Sequence, residues 1–108
     1  MNELEAREIS TSIFGTSLSP LADDLLRRAI RYAHLRAEWF LADLDARKAM
    51  DATRTRAHDA FIDACNILSR EMNKAGEDNG WRRALGYDRQ VIGDFACYLH
   101  CFIAIEAR

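Results

Sequence analysis

One proline, five glycines and no internal repeat leave this 108-residue chain little punctuation, which excludes a collagen-like or low-complexity architecture. Neither sign of charge dominates. Lys+Arg 15 against Asp+Glu 17 gives a formal net charge of −2, whereas a dedicated nucleic-acid binder usually carries a strongly basic domain or face. No stretch approaches the roughly 20 apolar residues that a membrane span needs. Glycine-rich phosphate loops and serine nucleophile elbows are absent. Three cysteines cannot all pair within one chain, and Cys97 and Cys101, four apart in a helical segment, have the wrong local geometry for a bridge. The opening Met1-Asn2-Glu3-Leu4-Glu5 is acidic and polar, unlike a secretory n-region. A reducing cytoplasm is the expected compartment.

What is present is apolar residue in quantity, 49% of the chain, enough to offset the ordering entropy that keeps polar chains disordered. The length suits a single domain spanning 1–108. Surface scaling gives roughly 6,000 Å² folded against roughly 18,000 Å² unfolded, so one core forms without staples.

The helical period recurs along the chain. Leu4, Ile9, Ile13 and Phe14 mark a short helix over residues 2–14, closed by Gly15-Thr16-Ser17. Ser19 is a natural N-cap, Pro20 fits the first helical position, and Asp23 and Asp24 lie near the positive end of the dipole. Leu26, Ile30, Ala33, Ala37, Phe40 and Leu44 then form an apolar stripe, broadened by Leu25, Tyr32, Leu35 and Trp39. From Leu21 to Ala75 there is neither glycine nor proline. One helix of that length would run about 80 Å at 1.5 Å per residue. A compact domain of this size is only about 34 Å across. The expected break is Asp51-Ala52-Thr53-Arg54-Thr55, where apolar content fades and capping residues gather, so a helical hairpin is predicted there. The heptad nonetheless continues from Leu44 through Arg47, Asp51, Arg54 and His58 to Phe61, Cys65, Leu68 and Met72, which keeps a single long helix in an intertwined dimer open. A third helix from about Thr55 to Lys74 should end at Gly76, followed by a short turn from Trp81 to Leu85 stopped by Gly86. Asp88 caps a last helix bearing Val91, Ile92, Phe95, Ala96, Leu99, Phe102 and Ile103, apolar nearly all round and therefore expected at the centre. The predicted fold is all-α, a helical bundle of about four main helices with one long amphipathic helix.

Few constellations carry chemistry. Asp59 and Asp63 share a helix face beside His58, a pattern that holds a divalent metal when acids such as Glu38, Asp43, Asp45 or Asp94 converge from another helix, and that otherwise pairs with Arg56, Arg70, Arg82 or Arg89. Cys97, His100 and Cys101 fall at i, i+3 and i+4, with Cys65 and His58 on a neighbouring helix. Zinc takes such donors, but free cysteine on an apolar helix is also ordinary core. The spacing from Arg28 to His34 loosely resembles that of helical ribonuclease domains, though a chain this rich in arginine produces such spacings by chance. Arg27, Arg28 and Arg31, and Arg82 and Arg83, are the clusters on which a nucleic-acid-binding regulator would rely, each with acids within a turn or two. Trp81, Arg82 and Arg83 follow the polar turn Glu77-Asp78-Asn79-Gly80 and have the composition of a binding hot spot; Tyr32 and Trp39 are core or a dimer face.

The run Ala57-His58-Asp59-Ala60-Phe61-Ile62-Asp63-Ala64-Cys65-Asn66-Ile67-Leu68-Ser69-Arg70, with Trp81-Arg82 and Ile92-Gly93-Asp94-Phe95, resembles small helical proteins of bacterial mobile elements and phages. The resemblance covers roughly the C-terminal half and brings no catalytic residues with it. It implies an accessory or inhibitory factor, a class that includes anti-CRISPR proteins, with a host protein or a CRISPR effector as partner. Together these features predict a non-enzymatic protein-binding module without cofactor, expected to form a homodimer. A metal-dependent helical-bundle hydrolase using Asp59 and Asp63 is the alternative, and a nucleic-acid-binding regulator the third reading.

Overall fold

The computed structural model describes residues 13–106, with side chains through residue 103. Apart from a helical turn at Ile13 and Phe14, the helix expected over 2–14 lies outside the described residues. Four helices follow: α1 (Ser19–Leu41), α2 (Leu44–Lys74), α3 (Gly80–Leu85) and α4 (Arg89–Glu106). No strand occurs among the described residues, and the fold is an all-α bundle. Ser19 is the first residue of α1 rather than its cap, a role that falls to Leu18 without a side-chain bond. Asp23 and Asp24 pair one turn on with Arg27 and Arg28, at 2.7 and 3.1 Å.

The chain turns back at Ala42-Asp43, not at residues 51–55, and neither the hairpin expected there nor an unbroken helix from Leu21 to Ala75 is found. Ala42 is extended, and the Asp43 carboxylate accepts from Ala46 N–H at 2.9 Å, capping α2. Arg47 completes the turn by donating to the carbonyls of Trp39 and Phe40, at 2.9 and 3.2 Å, the former also accepting from Ala42 N–H at 3.3 Å. Helix α2 then continues through Asp51, Thr53 and Thr55. Threonine costs an exposed helix only a few tenths of a kcal/mol against its neighbours, far less than a second turn. The fading of apolar residues there has another cause: no residue of α2 before Ala57 is buried, because this stretch lies beyond the core. At 1.5 Å per residue, α2 spans about 46 Å, matching the 46 Å long axis of the molecule.

Gly76, in the left-handed region at φ +73°, ends α2 as expected. Gly76 N–H reaches Asn73 O at 3.1 Å and Glu77 N–H reaches Met72 O at 2.9 Å, satisfying the terminal carbonyls. The chain then runs back along α2. Asn79 donates to Ser69 O and Oγ at 2.9 Å, and Arg82 Nε to Asn66 Oδ1 at 2.7 Å. This return brings the chain back to the level of Asn66 before α4 starts, and Asp88 caps α4 through Gln90 and Val91 N–H, as its sequence predicts.

The central helix is α1, not α4. Its buried residues are Ala22, Leu25, Leu26, Ala29, Tyr32, Ala33 and Arg36 after Ser19, and it packs against both α2 and α4. Small residues at 22, 29 and 33 let two neighbours approach, and each fully buried leucine contributes about 2 kcal/mol. Of the expected series Leu26 and Ala33 are buried, with Leu25 and Tyr32 beside them, and Ile30 is half-buried; the series fails beyond Arg36, where Ala37, Phe40 and Leu44 are exposed. On α4, Val91, Tyr98 and Cys101 face outward, so its apolar surface is only partly used.

Arg36 locks α1 to α4. Its guanidinium is buried against Gly93, where an added Cβ would fall 2.6 Å from Cζ. Nη1 donates to Asp94 Oδ1 at 3.2 Å and to Cys97 Sγ at 3.4 Å. Alanine at position 93 gains about 1 kcal/mol of helix propensity over glycine, yet Gly93→Ala should lower stability, because it drives a buried charge off its partners. In an Arg36→Ala background the same change should be stabilising. Denaturant unfolding of the four-protein cycle measures the reversal of sign; a stabilising Gly93→Ala in the presence of Arg36 would refute the lock.

Candidate protein-binding surface

At the turn between α1 and α2 three large apolar side chains stand in water: Phe40 is 60% exposed, Leu41 89% and Leu44 68%. The backbone beneath them is held from both sides. Asp43 caps α2, Arg47 caps α1, and the Trp39 ring lies between the Arg47 and Arg54 guanidiniums, 4.1 and 4.4 Å from its centroid. Phe40 meets Trp39 edge to face at 5.5 Å, and Arg36 approaches the Phe40 ring at 5.9 Å. The result is an ordered apolar tip.

Of the residues expected to bind a partner, Tyr32 does not qualify. It is 1% exposed, set edge-on to His58 at 5.4 Å and beside Phe61 at 6.3 Å. It buries because it lies on the face of α1 turned toward α2. Trp39 is half-buried and supports the tip from behind. Trp81 folds inward as a lid, 4.9 Å from Phe14 and stacked on Phe95 at 6.2 Å. Arg82 is committed to Asn66 and, through Nη1, to Gly86 O at 2.9 Å. Arg83 is exposed and lines, with Asn66, Ser69, Asn79, Arg82, Gly86 and Tyr87, a polar cleft of about 360 Å³.

The metal candidates scatter. Asp59 and Asp63 are exposed, whereas His58 turns inward onto Tyr32, with Nδ1 3.1 Å from Asp59 Oδ1. Cys65 is buried in the core, Cys97 accepts from Arg36, and Cys101 is exposed. His100 meets His34 of α1 instead of its own helix neighbours, Nε2 to Nε2 3.2 Å. Among the described residues no three His, Cys, Asp or Glu side chains gather as metal ligands. Arg27 and Arg28 pair with Asp23 and Asp24, while Arg28, Arg31 and Arg56 line a groove of about 240 Å³ with Thr53, Ala57 and Ala60. No described helix is long and apolar enough to cross a membrane.

No family model, curated protein or solved structure matches the chain, so its site is read from its own residues. Sequence reasoning missed the tip because it assigned Phe40 and Leu44 to the core stripe. Trp39-Phe40-Leu41 was the available signal, since three consecutive bulky residues cannot share one helix face.

Two measurements probe these placements. Trp81→Ala should cost about 3 kcal/mol, as core aromatics do, against less than about 0.5 kcal/mol for Arg83→Ala. Equal, small losses in thermal unfolding would mean that Trp81 is no lid. Burial pushes the Cys65 thiol from 9.0 up to about 12, with the Arg82 charge offsetting only part of that rise. A raised thiol value contributes stability present below its unfolded pKa and lost as pH climbs toward the folded one. In the native protein at neutral pH, a thiol reagent should label Cys101 quickly and Cys65 only as fast as the chain unfolds; comparable rates would contradict this burial.

Proposed function

We propose that this chain is a non-enzymatic protein-binding module, an accessory or inhibitory factor that engages its partner through the α1–α2 tip. The observation that carries the reading is the side-by-side exposure of Phe40, Leu41 and Leu44 on a backbone already ordered by Asp43 and Arg47. Their combined surface is on the order of a few hundred Å², the size at which an apolar patch on a monomer is commonly functional. Ordering the tip in advance removes part of the entropy cost of association. A stable interface takes about 800 Å² from each side, so two tips meeting one another bury too little to hold a homodimer alone. A projecting tip instead fits a concave apolar pocket on another protein. The mobile-element or phage setting that the resemblance of the C-terminal half implies is part of this proposal, with a host protein or a CRISPR effector as the partner class. The Arg28–Arg31–Arg56 groove is the feature on which nucleic-acid binding would rest, but the net charge of −2 and the acid pairing of Arg28 weigh against it.

The test compares wild-type chain, a Phe40→Ser/Leu41→Ser/Leu44→Ser variant and an Arg83→Ala/Tyr87→Ala variant, all confirmed folded by circular dichroism. Immobilised on beads in bacterial lysate, wild type and the cleft variant should retain the same protein, and the tip variant should lose it. Sedimentation should show a monomer. Retention by all three, no partner for any of them, or a dimer that the tip substitutions leave intact, overturns the proposal.

A further inference from the structure

His34 and His100 stand 66 residues apart in sequence, yet their Nε2 atoms lie 3.2 Å from one another in the seam between α1 and α4. Nothing in the tip or the core requires this meeting, because each imidazole sits where water could satisfy it alone. At that distance the two nitrogens share a long hydrogen bond, with the rings crossing at 75° and their centroids 4.8 Å apart, so both nitrogens are turned toward the same point in the seam.

The same spacing suits a shared metal ion once the bridging proton is gone. Zinc binds imidazole nitrogen at about 2.0–2.1 Å, so two such bonds at a tetrahedral angle place the nitrogens about 3.3–3.4 Å apart. The observed 3.2 Å lies close to that span. We propose that His34 and His100 form a two-imidazole clip for a late first-row divalent cation of the zinc class, bound through both Nε2 atoms with water in the remaining positions. Imidazole pairs favour zinc, copper and nickel over magnesium or calcium, which prefer oxygen ligands. The positive charge of Arg36, in the same seam, is matched by Asp94. No third His, Cys, Asp or Glu joins the pair among the described residues, so the clip is open to solvent. Binding of that kind is reversible and micromolar rather than the tight grip of a closed four-ligand site. The clip spans the two helices that Arg36 already joins, so the ion would add a second tie between α1 and α4. This proposal is independent of the tip.

The experiment is calorimetric titration of zinc chloride into the full chain at neutral pH. The expected result is one zinc per chain with a micromolar dissociation constant, and a raised melting temperature when zinc is in excess. His34→Ala and His100→Ala should each weaken binding about tenfold or more, while Cys101→Ser leaves it unchanged. At pH 5 binding should disappear, because protonated imidazoles cannot ligate. Nitrogen-detected imidazole spectra of the wild-type protein provide a readout that needs no variant: zinc should move the Nε2 resonances of His34 and His100 and leave those of His58 in place. No saturable binding below millimolar zinc, binding that survives either histidine substitution, or a dependence on Cys101 overturns the clip.

Discussion

A guanidinium inside a small helical protein is expensive unless its charge and its shape are both accommodated. Arg36 meets both conditions at one place on α4. Asp94 and the Cys97 sulfur take its Nη1 protons, and Gly93 leaves the space into which its planar end fits. Only one register of α4 against α1 brings a residue without a side chain opposite that end. Sliding α4 by a residue would put Ile92 or Asp94 there and strand the charge. The same register sets His100 against His34 and Phe95 beneath Trp81. One polar contact thus indexes a seam that is otherwise apolar and permissive of sliding.

The two ends of α1 have different roles. Toward its beginning, Ala22, Leu25, Leu26 and Ala29 lie between two helices and are fully buried. Beyond Arg36 the helix leaves the core with α2 as its companion, and the interactions change character. Cation–π contacts between Trp39 and two arginines, and guanidinium bonds to the last carbonyls of α1, hold the tip where a hydrophobic core no longer reaches. That construction keeps Phe40, Leu41 and Leu44 available, because the stabilising contacts are made by their neighbours.

Local signals were legible and tertiary ones were not. The stop at Gly76, the cap at Asp88, the break at Gly86 and the all-α class could be read directly, since each depends on residues within one turn. The hairpin lies about ten residues before the predicted 51–55, because the polar, β-branched sequence there marks a helix running past its core rather than a chain reversal. Asp43 followed by Asp45 carried the correct signal, a cap and a first-turn acid. The placement of α1 at the centre was obscured by composition, since α4 is the more apolar helix. What decides the matter is side-chain size, with alanines on two faces of α1 and large side chains on α4. The His34–His100 apposition had no local sign at all, and Trp81, read as a hot spot or a lid, took the second role only once Phe14 and Phe95 were in place around it.

The return path of α3 along α2 also carries a temporal consequence. Because α4 is delivered to the flank of α1 only after residues 75–88 have doubled back, the α1–α2 hairpin is complete in sequence long before its third companion exists. A chain emerging from the ribosome can close that hairpin early, across a two-residue connection. Arg36, however, must wait for a site 58 positions further on. During that interval its charge remains hydrated and one flank of α1 lies bare.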